Sequence, residues 1–374
     1  MAERMRAQVF YEPQVMHLEE RPIPRLSEID VLVRVRNCGI CGSDISYYYG
    51  VNPLGTPTGK GPLVLGHEFT GEIVELGSAV KRLNLFKIGD RVVVNPVQNC
   101  NACSYCAGGA PHMCPNTTVP GASVDGGFAE YCVSRYTGLF VLPEGLGYTA
   151  AAFVEPVACV VHGLEKLDVK PGQSVAVFGP GPMGLLIVQL AKAVGAGKVV
   201  LVGTRDDRLE AGRRCGADAV FNIRDAGSPA YTADLTRAIA DLTRGALADR
   251  AILATSSPAA FTQALEVTGK LAIVVYFALP ARGDVLQVPA LPSKVMEKEI
   301  RFSRVSPLAW PTALRLVAQG QVKTEPLLSG SMPLEQTGEA FRMIQERARG
   351  AIKIQVTPWG SDLMTDDEGP MTGG

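Results

Sequence analysis

The chain has 374 residues with 36 basic and 37 acidic side chains, a formal net charge of −1, and 47% hydrophobic against 20% charged residues. That is the composition of a soluble globular protein with enough chain for two domains of ordinary size. Its near-neutral balance offers no long-range attraction for nucleic acid or an anionic membrane, so the partners expected are small molecules held at a local site.

The start Met1-Ala2-Glu3-Arg4 has no apolar export segment, and the longest apolar run, 271–279, is far shorter than the roughly 20 residues that cross a bilayer. A cytoplasmic location is expected. In that reducing compartment nine cysteines read as metal ligands or buried thiols rather than disulfides, and the odd count agrees. Residues 1–150 hold short β-branched runs, at 31–35, 71–76 and 91–94, broken by Gly, Pro, Asn and Asp, and predict a β-rich, barrel-like domain. The Gly/Pro-rich tract 50–62 is a loop long enough to expect at the margin of a cleft.

Two groups of metal-ligand residue types fall in this first stretch. Cys41, in Cys41-Gly42-Ser43-Asp44, and His67, in Gly66-His67-Glu68, offer zinc a thiolate and an imidazole, which leaves room for a third protein ligand and an exchangeable water. Glu68 and Glu155 compete for the third place. Glu155 stands just before a helix expected from Pro156, where it could close the site from across an interdomain cleft, and Cys159, four residues on, is the spare candidate. The second group, Cys100, Cys103, Cys106 and Cys114, follows C-x2-C-x2-C-x7-C inside a lobe of about 97–116 and predicts a closed cage for a structural Zn²⁺. His17, His112 and His162 have no comparable partners and read as structural.

From 151 to 290 the rhythm becomes strand, helix, strand, with strands at 174–178, 198–202, 219–222, 250–254 and 271–277 and helices at 185–194 and 207–215. Such alternation calls for a parallel sheet covered on both faces. Gly179-Pro180-Gly181-Pro182-Met183-Gly184 places G-x-G-x-x-G between the first strand and its helix, the setting that lets a backbone approach a dinucleotide pyrophosphate. At the end of the next strand Gly203 stands where an acid would hold the ribose of NAD. Arg205 nearby suits a 2′-phosphate, which tips the expectation from NAD towards NADP unless Asp206 or Asp207 reaches the ribose instead. Residues 291–357 add helices at 310–319 and 334–348, and the polar, Gly-rich stretch 358–374 reads as a mobile tail.

Together these residues resemble the zinc-dependent medium-chain alcohol dehydrogenase family from about 5 to 356. Gly66-His67-Glu68 with Gly71 and Gly77 matches its zinc signature, the four cysteines its structural-zinc lobe, and Gly179 to Gly184 its coenzyme turn. Cys41-Gly42-Ser43-Asp44, Glu155-Pro156 and Tyr47 look most similar to the sorbitol (L-iditol) dehydrogenase branch. The resemblance implies an α/β protein with a GroES-like β-barrel catalytic domain, made from the first and third stretches, and an inserted Rossmann domain with a doubly wound parallel sheet. It also implies homodimers or homotetramers joined partly through the Rossmann sheets. By the same resemblance Cys41, His67 and Glu68 or Glu155 hold catalytic zinc, Ser43 hydrogen-bonds the reacting hydroxyl, and hydride passes between a secondary alcohol, a polyol or sugar alcohol, and NAD or NADP.

Two positions depart from the pattern. Ser46 stands where many relatives place a proton-passing histidine, so proton exit is expected through water, and the segment 302–307 differs from the run associated with sorbitol dehydrogenases. Tyr47, Tyr48 and Tyr49 are candidates to stack on a sugar-like substrate or to pack between domains. Rival readings are an amino-alcohol (threonine-like) or simple or aromatic alcohol dehydrogenase, and a non-catalytic nicotinamide-binding protein, which would have no need of Cys41, Ser43, His67 and Glu155 together.

Overall fold

The computed structural model describes residues 4–56 and 59–360; residues 1–3, 57–58 and 361–374, the last being most of the stretch expected as a mobile tail, lie outside the described residues. The first strands are β1 (Arg4–Glu12), β2 (Val15–Pro22), β3 (Asp30–Gly39), β4 (Leu63–Val64), β5 (Glu68–Leu76), β6 (Arg91–Val94), β7 (Tyr131–Arg135) and β8 (Leu139–Val141). They are followed by β9 (Ser174–Phe178), β10 (Lys198–Gly203), β11 (Ala219–Asn222), β12 (Ala248–Leu253), β13 (Thr268–Tyr276) and β14 (Glu299–Phe302). The last strands among the described residues are β15 (Leu328–Pro333) and β16 (Lys353–Thr357).

Contacts divide the chain into two units. One runs to Pro156 and adds Trp310–Ala318 and the chain from Leu328; the other comprises Val157–Ala309 and Gln319–Leu327. The division falls inside the helix Val154–Leu167, and the return to the first unit begins at Trp310.

In the first unit the three β-branched runs read from the sequence are β3, β5 and β6, and they are neighbours in a seven-stranded sheet of order β15-β16-β3-β5-β6-β8, with β7 also paired to β3. Their inward valines and isoleucine (Val31, Val33, Val35, Ile73, Val92, Val94) share one apolar core with Val9, Phe69, Phe128 and Phe341. Burial of those faces, at about 25 cal/mol for each Å² of apolar surface removed from water, fixes the register, because a one-residue slip would turn every valine outward. A three-stranded antiparallel sheet, β2-β1-β4, lies beside it in the chain's first unit.

The second unit is a six-stranded, wholly parallel sheet of order β11-β10-β9-β12-β13-β14. All five residues of β9 are buried, as a strand covered on both faces requires. The strand order reverses between β9 and β12, so the carboxyl end of β9 is the position where open parallel sheets hold ligands. The helices Leu235–Leu242 and Pro258–Glu266 and the strand β14 were not read from the sequence; each is short, and the two helices start at side-chain caps, Asp234 accepting from Arg237 N–H and Ser257 from Ala260 N–H.

Trp310, at the start of the returning helix, is 1% exposed and stacks on Phe140 with ring centroids 5.5 Å apart. Trp310→Ala is expected to cost about 3–5 kcal/mol, read as a lowered denaturant midpoint.

Candidate active site

His67 and Glu68 follow Gly66, whose φ is +91°, a conformation glycine adopts without strain; a Cβ there would also lie 2.8 Å from Cys38 Sγ and 2.9 Å from the Phe128 ring. Cys41 starts the helix Gly42–Tyr48, and its N–H donates to Asp44 Oδ2 at 2.8 Å. These two turns bring ligand atoms of Cys41, His67 and Glu68 within 4.8 Å of one another. One thiolate, one imidazole and one carboxylate at that spacing suit zinc with an open fourth position.

Asp44, fully buried, orients this trio. Its Oδ1 lies 3.3 Å from His67 Nδ1 and accepts the Gly66 N–H at 3.2 Å, so a single carboxylate fixes the imidazole and both ligand-bearing turns. Burial works against a charged His67 ring, but Asp44 and Cys41 outweigh it and hold the pKa well above the ordinary histidine value. A metal must therefore displace a proton to bind. In the sequence Asp44 stands in Cys41-Gly42-Ser43-Asp44 without an assigned role, and the signal it offers is a carboxylate three residues into a helix that begins at a ligand.

A second residue, Lys353 of β16, was missed altogether. Its ammonium pairs with the Glu68 carboxylate, both groups nearly free of solvent contact, and donates to Ile40 O at 2.9 Å. Burial lowers its pKa, and the charges of Glu68, Cys41 and Glu155 more than reverse that, leaving it raised. Gly39 sits opposite Glu68 across β3 and β5 and makes room for it, since a Cβ there would lie 2.4 Å from Glu68 Oε2.

Glu155 lies elsewhere than expected. The helix begins at Val154 rather than Pro156, so Glu155 is in its first turn, and it belongs to the same unit as Cys41, His67 and Glu68 rather than reaching them from the other. It acts on Lys353 through its charge, but among the described residues the 4.8 Å donor set contains Glu68 and not Glu155. Cys159 falls in the second unit.

Ser43 is partly exposed, and its carbonyl accepts from Ser46 Oγ at 2.8 Å while Ser46 Oγ accepts from Asn52 Nδ2 at 2.8 Å. Ser46 thus ties Asn52 to the helix. Tyr47 is buried beside His67, and burial raises its pKa, so the phenol stays protonated. Tyr48 meets Tyr49 and Phe341 edge-on at 5.1 and 5.4 Å, and all three tyrosines pack on the first unit's core.

The four clustered cysteines converge as a cage. Sγ separations are 3.5 Å for Cys100–Cys114, 3.6 Å for Cys103–Cys106 and 4.0 Å for Cys100–Cys106. Four sulfurs about 2.3 Å from one zinc stand about 3.8 Å apart along a tetrahedron edge, whereas a disulfide needs about 2.05 Å. Backbone N–H groups of Ala102 and Cys103 pull the Cys100 thiol down to about 6, towards the thiolate that a metal binds.

In the second unit the turn Gly179–Gly184 leaves β9 and opens the helix Pro182–Ala193, with Pro182 in its first turn and no side chain capping its N–H groups. Gly179 has φ +100°, and a Cβ on Gly184 would lie 1.9 Å from Gly179 O, so both glycines are required for the turn itself. A Cβ on Gly181 would meet only Arg208 Nη1, at 3.9 Å. Free helix N–H groups beneath an open glycine, with a guanidinium alongside, fit a pyrophosphate. At the end of β10, Arg205 is gripped by Asp207 through Nε at 3.1 Å and Nη2 at 2.6 Å, while its buried Nη1 has no hydrogen-bond partner. Asp206 accepts from Ser228 Oγ at 2.6 Å and Asn222 Nδ2 at 2.8 Å, which hold its pKa low.

Comparison with known proteins matches this architecture. The family described as alcohol dehydrogenase GroES-like domain matches residues 27–144, and that described as zinc-binding dehydrogenase matches 182–319. A sorbitol dehydrogenase of Bacillus subtilis is 33% identical over 363 residues, covering 95% of this chain and 98% of its own. A short chain alcohol dehydrogenase from E. coli CFT073, solved with NADH, superposes with TM-score 0.85 at 28% identity, covering 95% of this chain and 100% of that one. A zinc-binding dehydrogenase of Sinorhizobium meliloti 1021 bound to NADP gives TM-score 0.86 at 29% identity, covering 96% and 100%. The chain belongs to the zinc-dependent medium-chain alcohol dehydrogenase family. It is an oxidoreductase with a GroES-like domain and a Rossmann domain. No helix among the described residues is long and apolar enough to cross a membrane.

Asp44→Asn keeps the size of the side chain and removes its charge. Affinity for zinc at the Cys41/His67 site should fall about 10–100-fold, measured by chelator competition, while zinc in the cysteine cage is retained. Unchanged retention at both sites would remove Asp44 from the metal's support.

Proposed function

We propose that this enzyme interconverts a secondary alcohol of the polyol or sugar-alcohol class with its ketone, using two zinc ions per chain and NADP in preference to NAD. The observation that carries the proposal is the Cys41, His67 and Glu68 donor set within 4.8 Å, which a protein that only binds nicotinamide has no use for. The likeness to sorbitol dehydrogenase supports the substrate class. When bound, zinc supplies a Lewis acid to the reacting hydroxyl and the nicotinamide accepts hydride from the carbon that bears it.

The chain's own residues do the rest. Ser43 Oγ relays the proton, accepting the hydroxyl proton as its own Oγ–H passes to water, because Ser46 is tied to Ser43 O and Asn52 and is not available for a relay. Asp44 and Lys353 fix His67 and Glu68, so the donors need not reorganise as charge develops. Tyr47, kept protonated, remains a donor beside His67. Arg205 Nη1, buried without a partner, supports the NADP preference, since a 2′-phosphate would satisfy it.

We further infer a homodimer or homotetramer built on the β14 edge, because β14 ends the parallel sheet and Phe302 on it is 63% exposed. Nine cysteines, five of them candidate zinc ligands, suit a reducing, cytoplasmic setting.

Turnover on a panel of polyols, amino alcohols and simple alcohols, with NADP⁺ and NAD⁺ in parallel, checks the assignment. Oxidation of polyols with a lower KM for NADP⁺ is expected; turnover confined to threonine-like or simple alcohols would replace the substrate class. Ser43→Ala should lower kcat by on the order of 10² with zinc content unchanged, and an unaltered rate removes Ser43 from the proton path. Light scattering should give twice or four times the chain mass, and a monomer would refute the β14 interface.

A further inference from the structure

The coenzyme turn and the end of β10 touch at one point. A Cβ built on Gly203 would lie 2.5 Å from Pro180 Cγ and 2.6 Å from Pro180 Cδ, with Leu209 Cδ2 next at 3.3 Å. Leu209 can give by a few tenths of an ångström. The pyrrolidine ring cannot swing away as a flexible side chain would, because its Cδ is bonded to the backbone nitrogen and φ is held near −65°. The ring follows Gly179, which has φ +100° and whose hypothetical Cβ would lie 3.0 Å from Ala254 O, so carrying the ring aside means moving a turn already packed against the next strand's end. Position 203 is therefore closed to any side chain while Pro180 is present.

We infer that Pro180 is a specificity-determining residue: by occupying the space above Gly203 it excludes the carboxylate that would grip the 2′- and 3′-hydroxyls of an NAD ribose. This rests on the NADP reading proposed above and deepens it. The alternative acids do not replace what is excluded, since Asp206 is held by Ser228 and Asn222 and Asp207 by Arg205. Beside the turn stands Arg208, with Nη1 3.9 Å from a Cβ built on Gly181, and after β10 Arg205 keeps a buried Nη1 without a hydrogen-bond partner beyond its pair with Asp207. Preference then comes from two adjacent devices, a ring that denies an acid and an arginine that welcomes a phosphate. Introducing an acid at 203 without removing the ring cannot convert the site.

The test is a double-mutant cycle on the zinc-loaded protein, with NADH and NADPH dissociation constants from fluorescence titration and thermal midpoints from the same samples. Gly203→Ala should lower the midpoint in the native background and have little effect after Pro180→Ala. Gly203→Asp combined with Pro180→Ala should bind NADH at least about tenfold more tightly than Gly203→Asp alone, and NADPH more weakly than the native protein. If Gly203→Asp alone fails to fold and the double variant folds and binds NADH, the steric claim is upheld by that rescue. Equal losses for Gly203→Ala in both backgrounds, or equal NADH affinity of the single and double Asp variants, would overturn it. Tighter NADH than NADPH binding by the native protein would overturn the NADP reading instead, and the Gly203→Ala cycle, which involves no coenzyme, still decides the role of Pro180.

Discussion

Removing a lysine and a glutamate from water costs several kcal/mol for each ion, and the buried Lys353–Glu68 pair offsets that only because each charge faces the other at contact. The pair joins β16, the last strand among the described residues, to the strand that starts immediately after His67. Consequently the candidate metal site is not complete until the chain has left the first unit, formed the parallel sheet and come back. With Cys41 as thiolate, three negative groups (Cys41, Glu68, Glu155) act on one positive group, Lys353.

Around this pair the interior is polar in an ordered way. Along β16 the odd positions Lys353, Gln355 and Thr357 alternate with Ile354 and Val356, and all five are buried. Ile354 and Val356 enter the apolar core, while Gln355 accepts from Asn37 Nδ2 at 2.9 Å and donates to Thr149 O at 2.9 Å. Thr70 Oγ1 completes the seam by donating to Tyr148 O at 3.2 Å. Such a network sets register as firmly as apolar packing does, because a slip would strand each of these groups without a partner in a medium of low dielectric.

This explains what could be read from the sequence and what could not. The cysteine cage, Cys41, His67 and the G-x-G-x-x-G turn were legible because their chemistry is carried by local spacing. The parallel sheet was legible because strands such as Ser174–Phe178 are apolar throughout. Asp44 and Lys353 were not assigned, since neither has a local partner: Asp44 acts on a residue 23 positions later and Lys353 on one 285 positions earlier, separations read directly from the numbering. A lysine in a β-branched strand looks like an outward-facing residue until the strand is known to be buried on both sides. Glu155 was placed across a cleft for the related reason that a helix start was set at Pro156, when proline is tolerated anywhere in a first turn and the helix begins at Val154.

The coenzyme turn shows the same limit at closer range. Read as a motif, its glycines are separate requirements, each with its own reason, and the residues between them are free. In the folded unit Pro180 and Gly203 are in contact although they stand at the ends of different strands, and Gly184 is dictated by Gly179 O. The letters of the turn and the letter at the end of β10 are therefore one constraint, because parallel strands β9 and β10 end side by side and their following residues must share a single layer of space. Which dinucleotide a turn of this kind accepts is set by that shared volume together with the charge beside it, and a carboxylate missing from the second strand is a consequence of the first turn's proline as much as an independent choice.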